Sequence, residues 1–315
     1  SDIKKARIAI KHKDYDSLEK LMDGKLMPFI KKIDEGLYTW DDLASALKTP
    51  LNSAYGLTSA KFENKFKDPR NIDNIVAKRG ALFMINLKHE VMDRGFTVAH
   101  IKTDSIKIPD ATPEIIQFVM GYGKQYGYNF EHEATYDKMC LVNDAVYIAK
   151  YDDKGVRNKG GKHANEWTAT GAQFAQPYVF KTLFSKEPVK FEDMCETKSV
   201  TTSLFLDMNE TLPEGEHNYQ FVGKVGCFCP IKPGCGGGLL VRDKDGKYYS
   251  ATGAKGYRWL EAEIVSELGK QDDIDRTFYD HMAEAAIKDI SAYGEFDWFV
   301  SDKPYDKEDN EILPF

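Results

Sequence analysis

The chain is poor in cysteine and has no long apolar run. Five cysteines in 315 residues, an odd number, do not make a disulfide framework, so a reducing compartment is expected. The longest unbroken apolar stretches, such as Ala81-Leu82-Phe83-Met84-Ile85, fall far short of the roughly 20 residues that cross a bilayer. The first residues also lack the apolar core of a secretion signal, so a cytoplasmic protein without a membrane partner is the expectation. Internal repeats and low-complexity tracts are absent too. What is there, 42% apolar and 30% charged residues, is the composition of a globular protein long enough for about two domains. The net charge of −7 discourages a polyanionic partner until its distribution is read. Residues 272–315 carry 13 acidic and 4 basic side chains, a net −9, which leaves +2 on residues 1–271. A weakly basic body ahead of an acidic tail can bind a polyanion through local patches.

Punctuation and periodicity give a coarse map. Ile3, Ile8, Leu18, Leu21 and Met22 recur at helical spacing, and Gly24 and Pro28 end that segment. A second helix is expected over residues 40–55, with Asp41 and Asp42 in its first turn and Gly56 as its stop. A longer helix is expected over 72–94, closed by Gly95. Residues 96–101 and 103–108 read as a strand, a tight turn bearing Asp104 and a returning strand. A helix over 112–126 follows, and then strands over 129–133 and 145–151. The composition shifts at Asp152. Residues 154–162 form a Gly- and Lys-rich stretch expected as a flexible basic loop, and residues 154–190 hold 7 basic and 2 acidic groups. Beyond it come a helical piece over 176–184, a Cys- and Gly-rich loop over 227–238, a hairpin turn at Asp245-Gly246 and a helix over 275–290.

Three constellations suggest chemistry. Lys48, Asn52 and Tyr55 lie at i, i+4 and i+7, so a helix presents a cation, an amide and an aromatic ring on one face. Such a face suits a phosphate, a sugar edge and a base. Asp104, in Lys102-Thr103-Asp104-Ser105, puts a carboxylate on a rigid turn, where Mg²⁺ could take one protein ligand and complete its shell with water and phosphate. Arg7 and Lys11, at i and i+4, would offer a bidentate and a point-charge phosphate contact.

Taken together, Lys-x-x-x-Asn-Ser-x-Tyr-Gly, then a helix, a hydrophobic strand, Thr-Asp-Ser and a second strand resemble motifs B and C of the family B DNA polymerases, in a bacteriophage flavour. The likeness covers roughly residues 1–190. Arg7 and Lys11 resemble basic residues of that family's fingers. Residues 131–138 are similar to its glutamate-bearing strand after motif C, and residues 146–151 to the Lys/Tyr strand that grips primer–template. The resemblance implies an α+β fold with a family B palm, an antiparallel sheet with helices, together with helical fingers elements and a mixed thumb. Its divisions would be 1–56 (fingers, motif B), 57–151 (palm, motif C) and 152–315 (thumb-like region and acidic extension).

The implied activity is template-directed DNA synthesis by two-metal nucleotidyl transfer in the host-cell cytoplasm. Asp104 would bind Mg²⁺ or Mn²⁺. Arg7, Lys11, Lys48, Asn52 and Tyr55 would hold the incoming dNTP. Lys102, Lys150, Tyr151, Lys154, Arg157, Lys159 and Lys162 would contact primer–template DNA.

The pattern also departs from the family. Lys102 stands where motif C usually has its first Asp, and Ala149 where a lysine is common. Motif A and the proofreading exonuclease have no counterpart; the nearest lookalike, Asp14-Tyr15-Asp16-Ser17-Leu18-Glu19, comes after the fingers residues instead of before them. The chain therefore reads as the C-terminal portion or subunit of a polymerase, with a partner chain carrying motif A and the exonuclease. The alternative is a non-catalytic primer–template-binding or scaffold subunit. Cys227, Cys229 and Cys235, with His217 or Cys195, lack paired Cys-x-x-Cys spacing, which favours reduced structural cysteines over zinc. Residues 310–315 are similar to peptides that hold sliding clamps.

Overall fold

The computed structural model describes residues 2–12 and 14–302, which form two compact units divided after Ile115. Residues 310–315, where a clamp contact is expected, lie outside the described residues. Helices and antiparallel sheets are mixed throughout, an α+β composition.

The first unit opens with α1 (Asp2–Lys11), α2 (Tyr15–Lys20), α3 (Met27–Asp34) and α4 (Trp40–Thr58). Their shared core is Ala6, Ala9, Ile10, Leu18, Leu26, Ile30, Leu43 and Leu47. The expected apolar pattern is only partly used here. Ile8 is exposed, and the small Ala6 and Ala9 face inward because they let α4 approach α1 closely. Asp14 starts α2, its carboxylate accepting from the Ser17 N–H at 3.3 Å and from the Ser17 hydroxyl at 2.6 Å. The motif A lookalike is thus a helix cap. Thr39 and Asp42 form a capping box on α4, and the Thr39 hydrogen bonds hold the Asp42 carboxyl below its usual range. The helix runs past Gly56 to Thr58, since an isolated glycine weakens a helix without ending it.

The next helix, α5 (Ile75–Met92), begins later than expected, because residues 69–74 make a 3₁₀ turn with Asp73 and Asn74 at positive φ. Gly95, at φ +83°, lets the chain leave it. The strands β1 (His100–Lys102) and β2 (Ser105–Lys107) pair antiparallel, each only three residues long.

The second unit begins with α6 (Pro113–Gln125), whose body lies in it. Residues 129–133 are not a strand; the pairing starts later, with β3 (Ala134–Asn143), β4 (Val146–Val156) and β5 (Trp167–Thr170) in that order. Strand β4 runs unbroken through Asp152, the position expected as a boundary. Helices α7 (Ala172–Ala175) and α8 (Pro177–Phe180) lead into a π turn over Lys181–Ser185. A five-stranded sheet follows, ordered β10-β7-β6-β8-β9, from β6 (Glu196–Asp207), β7 (Tyr219–Ile231), β8 (Leu239–Lys244), β9 (Lys247–Ser250) and β10 (Arg258–Glu261). Asp245 and Gly246, at φ +55° and +75°, make the expected tight turn. Cys227 to Ile231, expected in a loop, continue β7. The closing helices are α9 (Ala262–Glu267), α10 (Thr277–Ser291) and α11 (Phe296–Val300).

The Gly-rich loop is fixed by its surroundings. Glu210 accepts hydrogen bonds from the N–H groups of Gly234 (2.8 Å) and Gly236 (3.2 Å). Gly237 sits at φ +76°, and a Cβ there would lie 2.7 Å from the Trp259 carbonyl oxygen. Gly237→Ala is therefore expected to cost about 1–3 kcal/mol through backbone strain, read as a lowered thermal midpoint. An unchanged midpoint would refute this account of the loop.

Candidate functional site

On α4, Leu43 and Leu47 are buried, which turns Lys48, Asn52 and Tyr55 to the exposed side. The Tyr55 hydroxyl donates to the Asn74 side-chain oxygen at 3.0 Å, so the ring is tied to the turn before α5. Arg7 and Lys11 are exposed on α1, which packs directly on α4. Arg7 and Lys11, and the set Lys48, Asn52 and Tyr55, all expected at the incoming dNTP, therefore stand on neighbouring helices of one core.

Asp104 occupies the two-residue turn between β1 and β2. Lys102, Thr103, Asp104 and Ser105 are all exposed, and the Ser105 hydroxyl closes the turn by donating to the Lys102 carbonyl at 3.1 Å. Thr103 is held at φ +54°, a costly conformation for a β-branched residue. The Asp104 carboxylate makes no hydrogen bond or ion pair among the described residues, so its lone pairs face solvent. For a divalent ion the fit is partial. Asp104 offers one oxygen ligand, and among the described residues no three His, Cys, Asp or Glu side chains are grouped to hold a metal.

In the second unit, strand alternation separates two residues expected to act together. Lys150 pairs with Lys138 on β3 and with Trp167 on β5, on the same face as Cys140 and Ile148, which enter the core. Tyr151 points to the other face, its ring 5.2 Å from Tyr136 and 6.3 Å from His163. Burial pushes the Tyr136 hydroxyl's pKa well up, reinforced by Tyr147 and Tyr151.

Lys150 is already engaged: its Nζ donates to Asp302 Oδ1 at 2.7 Å, and this bond holds the Asp302 carboxyl below its ordinary range. Lys138, a buried lysine that the sequence reading missed, donates to the carbonyls of Trp298 (2.8 Å) and Ser301 (2.7 Å). Burial, then the neighbouring Lys150, lowers its pKa. Its position opposite Lys150 follows from register, which alternation in one strand does not reveal.

The expected flexible basic loop is a hydrogen-bonded turn. The Val156 N–H donates to the Lys162 carbonyl at 3.0 Å and the Arg157 N–H to the Glu133 carbonyl at 2.7 Å. Arg157 is tied to the buried Asp152 at 2.8 Å. Lys154, Lys159 and Lys162 are exposed around this turn.

The cysteine cluster splits between strand and loop. Cys195 Sγ and Cys229 Sγ lie 3.6 Å apart; burial pushes the Cys195 thiol up to about 11 and raises Cys229 as well. His217 is held by the buried Asp207, to which its Nδ1 bonds at 2.7 Å.

Comparison of the chain with family models, with curated proteins and with solved structures returns no match. Among the described residues, no helix is long and apolar enough to cross a membrane.

The Lys150–Asp302 tie gives a pH dependence of definite sign. A carboxyl whose folded pKa is depressed stabilises the fold above its unfolded value, near ~3.9, and that stability is lost as pH falls through the folded pKa. Hydrogen exchange of residues 296–301 should therefore speed up below about pH 4 relative to the sheet. In Asp302→Asn it should be fast already at neutral pH. Equal exchange in the two proteins at pH 7 would discard this role for Asp302.

Proposed function

We propose that this chain takes part in template-directed DNA synthesis as the motif B and motif C portion of a family B-type polymerase. The observation that carries the reading is one of presentation. A helix exposes Lys48, Asn52 and Tyr55 as a set, a second helix follows, and the next hairpin exposes an unengaged carboxylate, Asp104, at its tip. Arg7, Lys11 and Lys48 supply positive charge for a triphosphate, and Asn52 a neutral amide beside it. Tyr55, its hydroxyl anchored by Asn74, offers a ring of fixed orientation against the nascent base pair. Lys154, Lys159 and Lys162 follow duplex phosphates without reading sequence. The palm and thumb assignments belong to this proposal.

Divalent ions, Mg²⁺ or Mn²⁺, would supply charge stabilisation at the attacking 3′-oxygen and the transferred phosphate. Asp104, exposed at the tip of the hairpin, is the carboxylate assigned to help hold them. The second carboxylate is assigned to a further polypeptide segment, and the chain by itself is expected to be inactive. Lys102, next to the turn, favours a second reading, a primer–template-binding subunit without chemistry, because an ammonium there suits a phosphate better than a metal ion.

Primer extension separates the two. With Mg²⁺, four dNTPs and the polypeptide encoded immediately upstream, extension is expected. It should fall about 10³-fold or more in Asp104→Ala, with primer–template affinity unchanged. Tight primer–template binding without extension would establish the non-catalytic reading instead.

A further inference from the structure

Three of the five thiols meet on one side of the five-stranded sheet. Cys227 and Cys229 are two residues apart on β7, so their side chains share a face. The ladder pairs Glu196 of β6 with Phe228 of β7, which brings Cys195, the residue before Glu196, opposite Cys229. The thiol of Cys195 donates to the Phe191 carbonyl at 3.3 Å, and its sulfur stands 3.6 Å from that of Cys229. Cys227 also lies within hydrogen-bond reach of Cys195. Directly opposed residues of an antiparallel pair have the Cα separation that a disulfide spans, so joining Cys195 to Cys229 asks little of the backbone.

One buried group beside these thiols has no partner. Tyr279 of α10 is fully buried in the core that holds Cys229, and its hydroxyl makes no hydrogen bond among the described residues. An unpaired buried hydroxyl costs stability, and redox or catalytic sites are among the places where one persists. The charged and polar groups acting on it are Glu196, Cys229, Cys195 and Cys227, so it stands among the thiols. Glu196 is engaged elsewhere, by Gln176 Nε2 at 3.2 Å and by Lys198 at 3.7 Å. A neutral thiol is a weak acceptor for a phenol, whereas a thiolate is a strong one.

The three thiols differ in access. Cys227 is exposed, Cys195 half-buried and Cys229 fully buried. Burial raises the pKa of Cys195 and of Cys229, which makes both slow to react first with a solute. All three are free in the structure, so a bond between two of them is a reversible response and not a fixed staple.

We propose that Cys195 and Cys229 are a reversible disulfide site, entered by a small-molecule disulfide at Cys227, with Tyr279 donating its O–H to each buried thiolate as it forms. The Cys227 thiolate attacks one sulfur of the oxidant and keeps that half; the other half leaves as a thiolate and takes up the proton that Cys227 lost. Cys195 then gives up its proton and attacks the Cys227 sulfur, and the second half leaves as a thiol. Cys229 attacks the Cys195 sulfur in turn, and Cys227 departs with the last proton. Two protein thiols have lost two electrons and two protons, and one small disulfide has become two thiols. The bond closes residues 195–229 into a loop across β6 and β7. The site lies wholly in the second unit and stands apart from the polymerase reading.

Oxidised glutathione is the probe, and mass spectrometry of an unreduced digest of the folded chain is the readout. A linked pair of peptides holding Cys195 and Cys229 is expected, and reduced glutathione should undo it. Cys140, buried in a separate core, should stay free. The bridged chain should melt roughly 5–10 °C above the reduced one. Cys227→Ser should slow the bridge at least about tenfold, because only buried thiols are left to react. Tyr279→Phe should slow it as well, while the reduced chain melts no lower, since an unpaired hydroxyl is removed. A merely structural Tyr279 would lower that melting temperature and leave the rate alone. A mixed disulfide that stays at Cys227 would overturn the proposal. So would a bridge that forms as fast in Cys227→Ser as in the wild type, or a folded chain whose Cys195 and Cys229 remain reduced.

Discussion

The burial of Leu43 and Leu47 against Ala6, Ala9 and Ile10 sets which faces of the first unit's helices meet solvent. Four small and branched side chains and one isoleucine fix how α4 rotates about its own axis. Once that rotation is set, Lys48, Asn52 and Tyr55 have no choice but solvent, and Arg7 and Lys11 come with α1 to the neighbouring surface. The alanines matter as much as the leucines. Larger residues at positions 6 and 9 would push the helices apart and separate Arg7 and Lys11 from Lys48, since packed interiors accommodate extra methylenes poorly. The exposed face of α4 is therefore specified by what lies on the reverse side of it.

Charge in the second unit is governed by alternation. Along β4, Ile148 and Lys150 share the face that enters the core, and Tyr147 and Tyr151 share the other. A lysine at the rim of a core needs an acceptor for every proton it buries. Lys138 finds two carbonyls at the end of α11, and Lys150 finds Asp302. These cations thus pin the last described helix onto the sheet. Lys154, Lys159 and Lys162 are exposed at the end of β4 and around the turn after it. Arg157, which by charge alone belongs with Lys154 and Lys159, is instead committed to the buried Asp152.

Much of this was legible in the sequence where the signal was local. Asp41 and Asp42 in a first helical turn, Gly95 after a helix, and Asp245-Gly246 between β-prone runs act on residues close by, and each marks the element it was read to mark. The face of α4 was legible for the same reason. What was missed depends on partners far along the chain. Residues 129–133 have strand-like composition but no ladder, while Cys227 to Ile231 look loop-like beside their glycines yet pair with both β6 and β10. Pairing, not propensity, decides a strand. The ties of Lys138 and Lys150 span more than 150 residues, and no periodicity announces them.

Asp104, exposed at the hairpin tip, is limited by its contact with water. A turn carboxylate in water holds a divalent ion weakly because hydration competes with a single ligand; a second acid helps only if something rigid holds it near the first.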